Sequence, residues 1–296
     1  MYNPTKPLAL SNSSANVFNS CERKGYFQYI EKRKPDSDWV KPGYFAFGIA
    51  YHAVLEKCQH NSKNYSPLIL EMICKKENLY FPSDGAKLAS CINAYWAMIN
   101  DSIYKPYTFE KWFENDLARG KIDLICTTDE GWLICDTKTN GMALSPTKKM
   151  ELINDSQMNL YGAFHDIIGK SCNLDPKKWI GCLYREVEKP RSIYKAGESY
   201  DEFYSRIAEK GIPKTREIFI SRDEMKWDNA YNNFLLTVKR AREIQKSFID
   251  GNPIETRQDF SQCKKFGTPC EFWSQCYNCL YTSSKSEELK TILSYL

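Results

Sequence analysis

The sequence contains no long apolar run. None of its 296 residues belongs to anything approaching the ~20 consecutive apolar residues that a membrane helix needs. Its start, MYNPTKPLALSNSS, carries neither an apolar h-region nor a small-residue cleavage site, so a cytosolic protein with no membrane partner is expected. Internal repeats, low-complexity tracts and a clear interdomain linker are missing too, which excludes a solenoid or repeat array. Neither sign of charge dominates. The 41 Lys and Arg against 37 Asp and Glu leave a net +4, a balance that permits a nucleic-acid partner without requiring one. What is present is ordinary for a globular chain, 42% hydrophobic and 26% charged, and long enough for one large domain or two small ones. Cysteine is the exception, at twelve residues, in a compartment where disulfides are not expected. Cys58, Cys74, Cys91, Cys126, Cys135, Cys172 and Cys182 are scattered through mostly apolar surroundings, as buried thiols are. The other five sit near the two ends: Cys21, then Cys263, Cys270, Cys276 and Cys279.

The stretch Gly120–Lys138, GKIDLICTTDEGWLICDTK, organises the middle of the chain. Two short apolar runs, Ile122–Cys126 and Trp132–Cys135, flank a polar cluster, which is the pattern of a β-hairpin. A loop of two residues (Asp129, Glu130) or of four (Thr128–Gly131) gives one and the same register, with Asp123 facing Asp136. An odd-numbered loop would put them on opposite faces. Directly opposed residues have Cβ atoms ~5 Å apart, and like charges there repel. Asp136 and Lys138 share a face of their strand, so the hairpin gathers two carboxylates and an ammonium. A divalent cation between the carboxylates would remove the repulsion; an exposed hairpin edge with scattered charges is the plain alternative.

The rest falls around this hairpin. Ser11, Ser13 or Ser14 caps a helix running to Tyr29, ended by Lys32–Asp36. Gly43–Cys58 is a second helix on which Gly48, His52 and Glu56 share a face; a histidine there is either a core residue or a ligand. A helical region with breaks fills 59–104, and Lys105–Leu117 leads into the hairpin as a strand. Beyond Lys138 a loop precedes a helix over Met150–Ile168, with Ile153, Leu160, Phe164 and Ile168 as its buried stripe and Gln157 and Tyr161 on the same face. Trp179–Val187 suits a buried strand, Ser199–Lys210 a helix, Arg216–Ser221 a strand, and Asp223–Phe248 a long helix made basic by Lys239, Arg240, Arg242 and Lys246. The order implies an α/β fold with a mixed sheet and one parallel crossover.

Four motifs in this order resemble the PD-(D/E)XK nuclease superfamily, and in particular its RecB-like exonuclease branch. They are Gly48-Ile-Ala-Tyr-His52, Gly120-Lys-Ile-Asp123, Asp136-Thr-Lys138 and Gln157-Met-Asn-Leu-Tyr161. The resemblance implies a restriction-endonuclease-like α/β core over 105–221, a mixed central sheet flanked by helices. N-terminal helices occupy 11–58, a helical insertion 59–104, and a long helix with a Cys-rich clamp 222–296, all in one nuclease domain spanning 1–296. The ends resemble iron–sulfur members such as the AddB nuclease domain and the CRISPR-adaptation nucleases, in which one cysteine precedes the core and three follow it. Cys21 takes the first place, and Cys263, Cys270 and Cys276 the others, with Cys279 as a substitute. The family's last three cysteines are usually spaced C-x2-C-x5-C; here Cys270 and Cys276 keep the second spacing, and six residues separate Cys263 from Cys270. A [4Fe–4S] cluster, a structural Zn2+ and unligated thiols all stay open. Phe260, Phe266, Phe272 and Trp273 would shield a cluster from water.

The resemblance also implies a mechanism. Asp123 and Asp136 coordinate Mg2+ or Mn2+, His52 adds an imidazole nitrogen and Thr137 its carbonyl. Lys138 orients the attacking water and stabilises charge on the phosphate. Gln157 and Tyr161 hold Lys138 or a substrate phosphate, and Lys148 and Lys149 contact the DNA backbone. Glu114 is a weaker metal-site candidate. The implied activity is a metal-dependent DNA exonuclease acting on single-stranded or unwound ends in recombination, repair or phage DNA metabolism. The alternatives are a non-catalytic nucleic-acid-binding module and an unrelated α/β protein with structural zinc.

Overall fold

A computed structural model describes residues 6–37, 39, 43–142, 145–265 and 268–276; Cys279 and Phe266 lie outside them. The chain divides into two compact units, one formed by 1–40, 115–118 and 232–296, the other by 41–114 and 119–231.

The first unit opens with α1, Asn12–Ser20, capped by Ser11 in a reciprocal box with Ser14. The helix does not run on to Tyr29 as expected. Cys21 turns to an extended conformation, and a new helix, α2, Glu22–Gly25, follows and passes into a π turn over Tyr26–Ile30.

The second unit starts with α3, Gly43–Lys57, α4, Pro67–Lys76, and α5, Ala86–Asp101. Tyr51, Val54, Leu55, Leu70, Ile92 and Tyr95 bury their side chains in one cluster where these helices meet. The sheet follows: β1, Lys105–Glu114, β2, Arg119–Thr127, and β3, Trp132–Asn140. The single helix expected over Met150–Ile168 is three, α6, Lys148–Ile153, α7, Ser156–Ala163, and α8, His165–Ser171. Asp155 makes the first break. Its carboxylate accepts the N–H groups of Gln157 and Met158 and caps α7, as Asp does in preference to continuing a helix. Asn159 then donates to the Ile153 carbonyl left open by α6. The break also shifts the buried stripe, so that Leu152 is buried and Ile153 only half-buried. Next come β4, Trp179–Glu188, α9, Tyr200–Ala208, and β5, Thr215–Ser221. The five strands lie in the order β1-β2-β3-β4-β5. Every neighbouring pair is antiparallel except β3 and β4, the expected parallel crossover.

The last helix, α10, spans Trp227–Ile249 and begins later than expected, because Glu224 accepts the Ser221 N–H in a turn. Within the first unit its basic run serves the chain itself. Arg240 pairs with Glu22 at 3.2 Å, Arg242 donates to the carbonyls of Leu8 and Asp116, and Lys246 pairs with Asp250. Two short strands, β6, Lys264–Lys265, and β7, Thr268–Pro269, pair with each other between Cys263 and Cys270. The seven scattered cysteines are buried, as expected.

Gln245, buried on α10, ties down the N-terminal segment by accepting the Leu8 N–H at 2.9 Å and donating to the Lys6 carbonyl at 2.9 Å. Gln245→Leu would leave a buried N–H without a partner, so urea denaturation is expected to show a loss of about 2 kcal/mol. An unchanged midpoint would mean that Gln245 anchors nothing.

Candidate active site

The site is built by strand pairing. Four residues, Thr128–Gly131, close the β2–β3 hairpin, and the Thr128 N–H donates to the Gly131 carbonyl at 2.8 Å. The register runs from Thr127 opposite Trp132 to Leu124 opposite Cys135, and one further step puts Asp123 opposite Asp136. The Thr137 N–H donates to Asp123 Oδ2 at 3.1 Å across that step. On the other side Phe109 pairs with Leu124 and Lys111 with Ile122, which leaves Glu110 opposite Asp123. Three adjacent strands thus bring one carboxylate each to the same level of the sheet. His52 of α3 reaches this row, with Nδ1 3.7 Å from Asp123 Oδ2. Among the described residues, His52, Glu110 and Asp123 offer ligand atoms all within 4.8 Å of one another.

Glu110 is held in an unusual state. Its φ is +50°, a left-handed conformation that costs a non-glycine residue of order 1–2 kcal/mol. Lys121 grips Oε2 at 2.7 Å and Glu56 at 2.7 Å. Burial works against the Lys121 charge, but these two carboxylates outweigh it and hold the ammonium above its ordinary pKa. Glu110 Oε1 is buried with no hydrogen-bond partner among the described residues. His60 Nε2 stands 3.7 Å from it, too far for a hydrogen bond, while His60 Nδ1 and the Tyr95 hydroxyl lie 2.7 Å apart. A buried carboxylate oxygen without a donor, beside an imidazole and a second carboxylate, is a site that a divalent cation fits.

Asp136 is buried and fixed through Oδ1, which accepts from Lys138 Nζ at 2.8 Å and from Gln157 Nε2 at 2.8 Å. Gln157 Nε2 is also 2.7 Å from the Tyr161 hydroxyl, so Gln157 engages the carboxylate that Lys138 contacts, not Lys138 itself. Burial pushes the Asp136 carboxyl up to about 6, with the Lys138 ammonium opposing the shift and the Asp123 carboxylate adding to it. Burial disfavours the Lys138 charge, yet Asp136 and Asp123 together hold its pKa above the ordinary value. Burial keeps the Tyr161 hydroxyl protonated. Thr137 is buried, its Oγ1 unpartnered among the described residues.

His52, Asp123, Asp136, Lys138, Gln157 and Tyr161, all expected from the sequence, therefore converge. Lys148 pairs with Glu151 at 3.0 Å and Lys149 with Glu224 at 2.7 Å. Glu114 sits exposed at the end of β1, opposite Arg119, and Glu110 holds the place near the metal group for which Glu114 was the candidate. Sequence reasoning missed Glu110, Lys121 and His60. For Glu110 a signal existed: a four-residue turn at Asn115–Ala118 pairs Glu114 with Arg119 and, counting back, Glu110 with Asp123.

The sequence profile of the PD-(D/E)XK nuclease superfamily matches residues 9–277. The chain belongs to this superfamily. No curated protein matches it. PD-(D/E)XK membership accounts for the five-stranded mixed sheet flanked by helices and implies a nuclease, with nucleic acid as the substrate class and a divalent metal ion as cofactor, for which His52, Glu110 and Asp123 are a candidate site. No described helix is long and apolar enough to cross a membrane.

The PD-(D/E)XK chain has a second constellation, within its first unit. Cys21, Cys263, Cys270 and Cys276 line a cavity of about 60 Å³ together with Phe27, Phe272 and Trp273. Burial raises the pKa of Cys263, Cys270 and Cys276, the last to about 11, and the neighbouring thiols oppose one another's ionisation. Gln258 Nε2 donates to Cys276 Sγ at 2.9 Å. The Cys270 N–H donates to the Cys263 carbonyl at 2.8 Å, so the pairing of β6 with β7 holds two of the thiol-bearing residues together.

The raised Asp136 pKa has a sign that can be measured. The folded carboxyl titrates near 6 against an ordinary 3.8, so the folded state binds the proton more tightly than the unfolded one. The stability it contributes is full below about pH 4 and is lost as pH rises through about 6. Urea denaturation of EDTA-treated protein is expected to show this fall, and Asp136→Asn to remove it. Parallel pH profiles for the two proteins would overturn the assignment.

Proposed function

We propose that the protein is a divalent-metal-dependent deoxyribonuclease that shortens DNA from single-stranded or unwound ends. The observation that carries this reading is the meeting of His52, Glu110 and Asp123 with the Asp136–Lys138 pair. The resemblance of its motifs to RecB-like exonucleases supports action at ends. His52, Glu110 and Asp123 would hold Mg2+ or Mn2+, with Asp136 and the Thr137 carbonyl joining from the next strand. A divalent ion held there supplies a water of lowered pKa and a counter-charge for phosphate oxygens. Gln157 and Tyr161 fix the Asp136 carboxyl by its Oδ1. Lys138, kept charged by two carboxylates, orients the attacking water and stabilises negative charge growing on the scissile phosphate. Lys148 and Lys149 would exchange their internal acid partners for phosphates of the bound strand. A non-catalytic DNA-binding module is the second reading, and the intact acid and lysine set speaks against it.

Asp136→Ala and Lys138→Ala are expected to abolish cleavage while leaving the fold intact, and Glu110→Gln to weaken metal binding. Imidazole suits Mn2+ better than Mg2+, so Mn2+ should support activity at least as well, with His52→Ala lowering its affinity. Cleavage assays with and without EDTA check all of these. Full activity of either Asp136→Ala or Lys138→Ala would sink the site.

A [4Fe–4S] centre on Cys21, Cys263, Cys270 and Cys276 completes the proposal. Cys263, Cys270 and Cys276 are half-buried beside the buried Cys21 and oppose one another's ionisation unless a cationic core binds them, and cluster binding would become folding free energy for the unit that holds both chain ends. Arg23, Lys24 and the Gln258 N–H at the cavity suit the negative charge of a thiolate-ligated cluster. Protein purified without oxygen is expected to be brown, and Cys21→Ala to lose both colour and thermal stability. One zinc and no iron by elemental analysis would replace the cluster with a zinc site. Neither metal, with Cys21→Ala as stable as wild type, would remove the centre.

A further inference from the structure

Helix α3 has two faces. Phe47, Ala50, Tyr51, Val54 and Leu55 are buried on one. Phe45, Gly48, Ile49 and His52 line up on the other, at steps of three and four residues. This second face is accessible, with Phe45 54% and Ile49 41% exposed, and it ends at the imidazole of the metal group.

Glycine at position 48 breaks a rule of helix formation. Apart from proline, no residue is less favourable in a helix interior, because glycine loses the most backbone freedom there. Three other helical glycines have a visible reason. A Cβ on Gly25 would lie 2.5 Å from the Phe18 ring, on Gly169 2.8 Å from Trp132, and on Gly162 3.1 Å from each of Met225, Trp179 and Trp227. On Gly48 it would meet nothing within 4 Å among the described residues, and no left-handed φ calls for glycine. Among the described residues nothing makes use of the missing side chain.

We propose that the sugar–phosphate backbone of a single-stranded DNA substrate passes over α3 at Gly48, with the Phe45 ring as a platform for the adjoining base. The inference rests on the nuclease reading of the same site and adds the path of the strand. One helical turn, about 5.4 Å, separates Gly48 from His52, so a strand whose scissile phosphate lies at the metal group has its neighbouring nucleotide over Gly48. A flexible single strand needs close approach of backbone to backbone at that point, and a side chain of any size would stand between them. Phe45 adds an exposed aromatic face of the kind on which bases stack without regard to sequence.

The test compares wild type with Gly48→Ala, Gly48→Leu and Phe45→Ala. Both glycine variants introduce better helix formers, so thermal unfolding is expected to shift upward by about 2 °C. Mn2+ affinity, measured by titration without DNA, should stay at the wild-type value because no ligand has changed. The KM for a single-stranded oligonucleotide should rise about tenfold in Gly48→Ala and further in Gly48→Leu, with kcat less affected, the signature of lost substrate binding. Phe45→Ala should raise KM by a few-fold at most. Oligonucleotide affinity in Ca2+ gives a second readout that does not need cleavage. An inactive wild type whose DNA affinity drops in Gly48→Leu would leave the strand path standing and overturn the nuclease reading. Stabilised Gly48 variants with wild-type KM and wild-type DNA affinity would overturn the path.

Discussion

Like-charge crowding is the constraint on which the second unit depends. Glu110, Asp123 and Asp136 stand side by side on three neighbouring strands, where opposed like charges destabilise a sheet by up to about 1 kcal/mol per pair. The register cannot slip to relieve them, since a one-residue shift would turn Leu124, Cys126, Leu133 and Cys135, all fully buried, to the wrong face. Lys121 and Lys138 neutralise part of the charge, and His52 closes the row. With Glu56, which shares Lys121, four carboxylates stand against two ammonium groups, a deficit that a divalent ion would offset. The hydrophobic pattern of the hairpin, not any preference of the acids, thus holds the site together.

The first unit presents the same electrostatic problem with softer ligands. Thiols around one cavity repel one another as soon as they ionise, and burial makes ionisation of Cys263, Cys270 and Cys276 harder still. Hard oxygen and imidazole ligands in one unit and thiols in the other suit different metals. The proposed division of labour, hydrolysis at the first and structure at the second, follows from that chemistry.

Local rules are broken where function needs it. Glu110 keeps a left-handed backbone inside a strand, and Gly48 occupies a helix interior where no packing reason for it stands among the described residues. Both stand at the metal group or one turn from it. Elsewhere the chain follows ordinary preferences: Asp155 caps, Ser11 caps, apolar residues alternate into the sheet. Such exceptions are expected at sites selected for binding more than for stability.

The sequence by itself determined whatever depends on local periodicity. The even loop and the period of two put Asp123 opposite Asp136 and Lys138 beside it, and the i, i+4 spacing put Gln157 and Tyr161 on one helical face. The parallel crossover followed from the order of elements. Only the tertiary structure decided the rest. Glu110 joined the metal group through pairing of β1 with β2, a register set at a turn that carried no strong hairpin signal. Asn154 and Asp155 broke an expected helix because capping bonds outweighed the apolar stripe. Arg240, Arg242 and Lys246 of the basic run on α10 were taken up by Glu22, Asp250 and two backbone carbonyls, partners remote in sequence for all but one. The thiol of Cys21 met those of Cys263, Cys270 and Cys276 at one cavity, a meeting of chain ends that no local pattern encodes, because it is fixed by packing between segments that have no spacing in common.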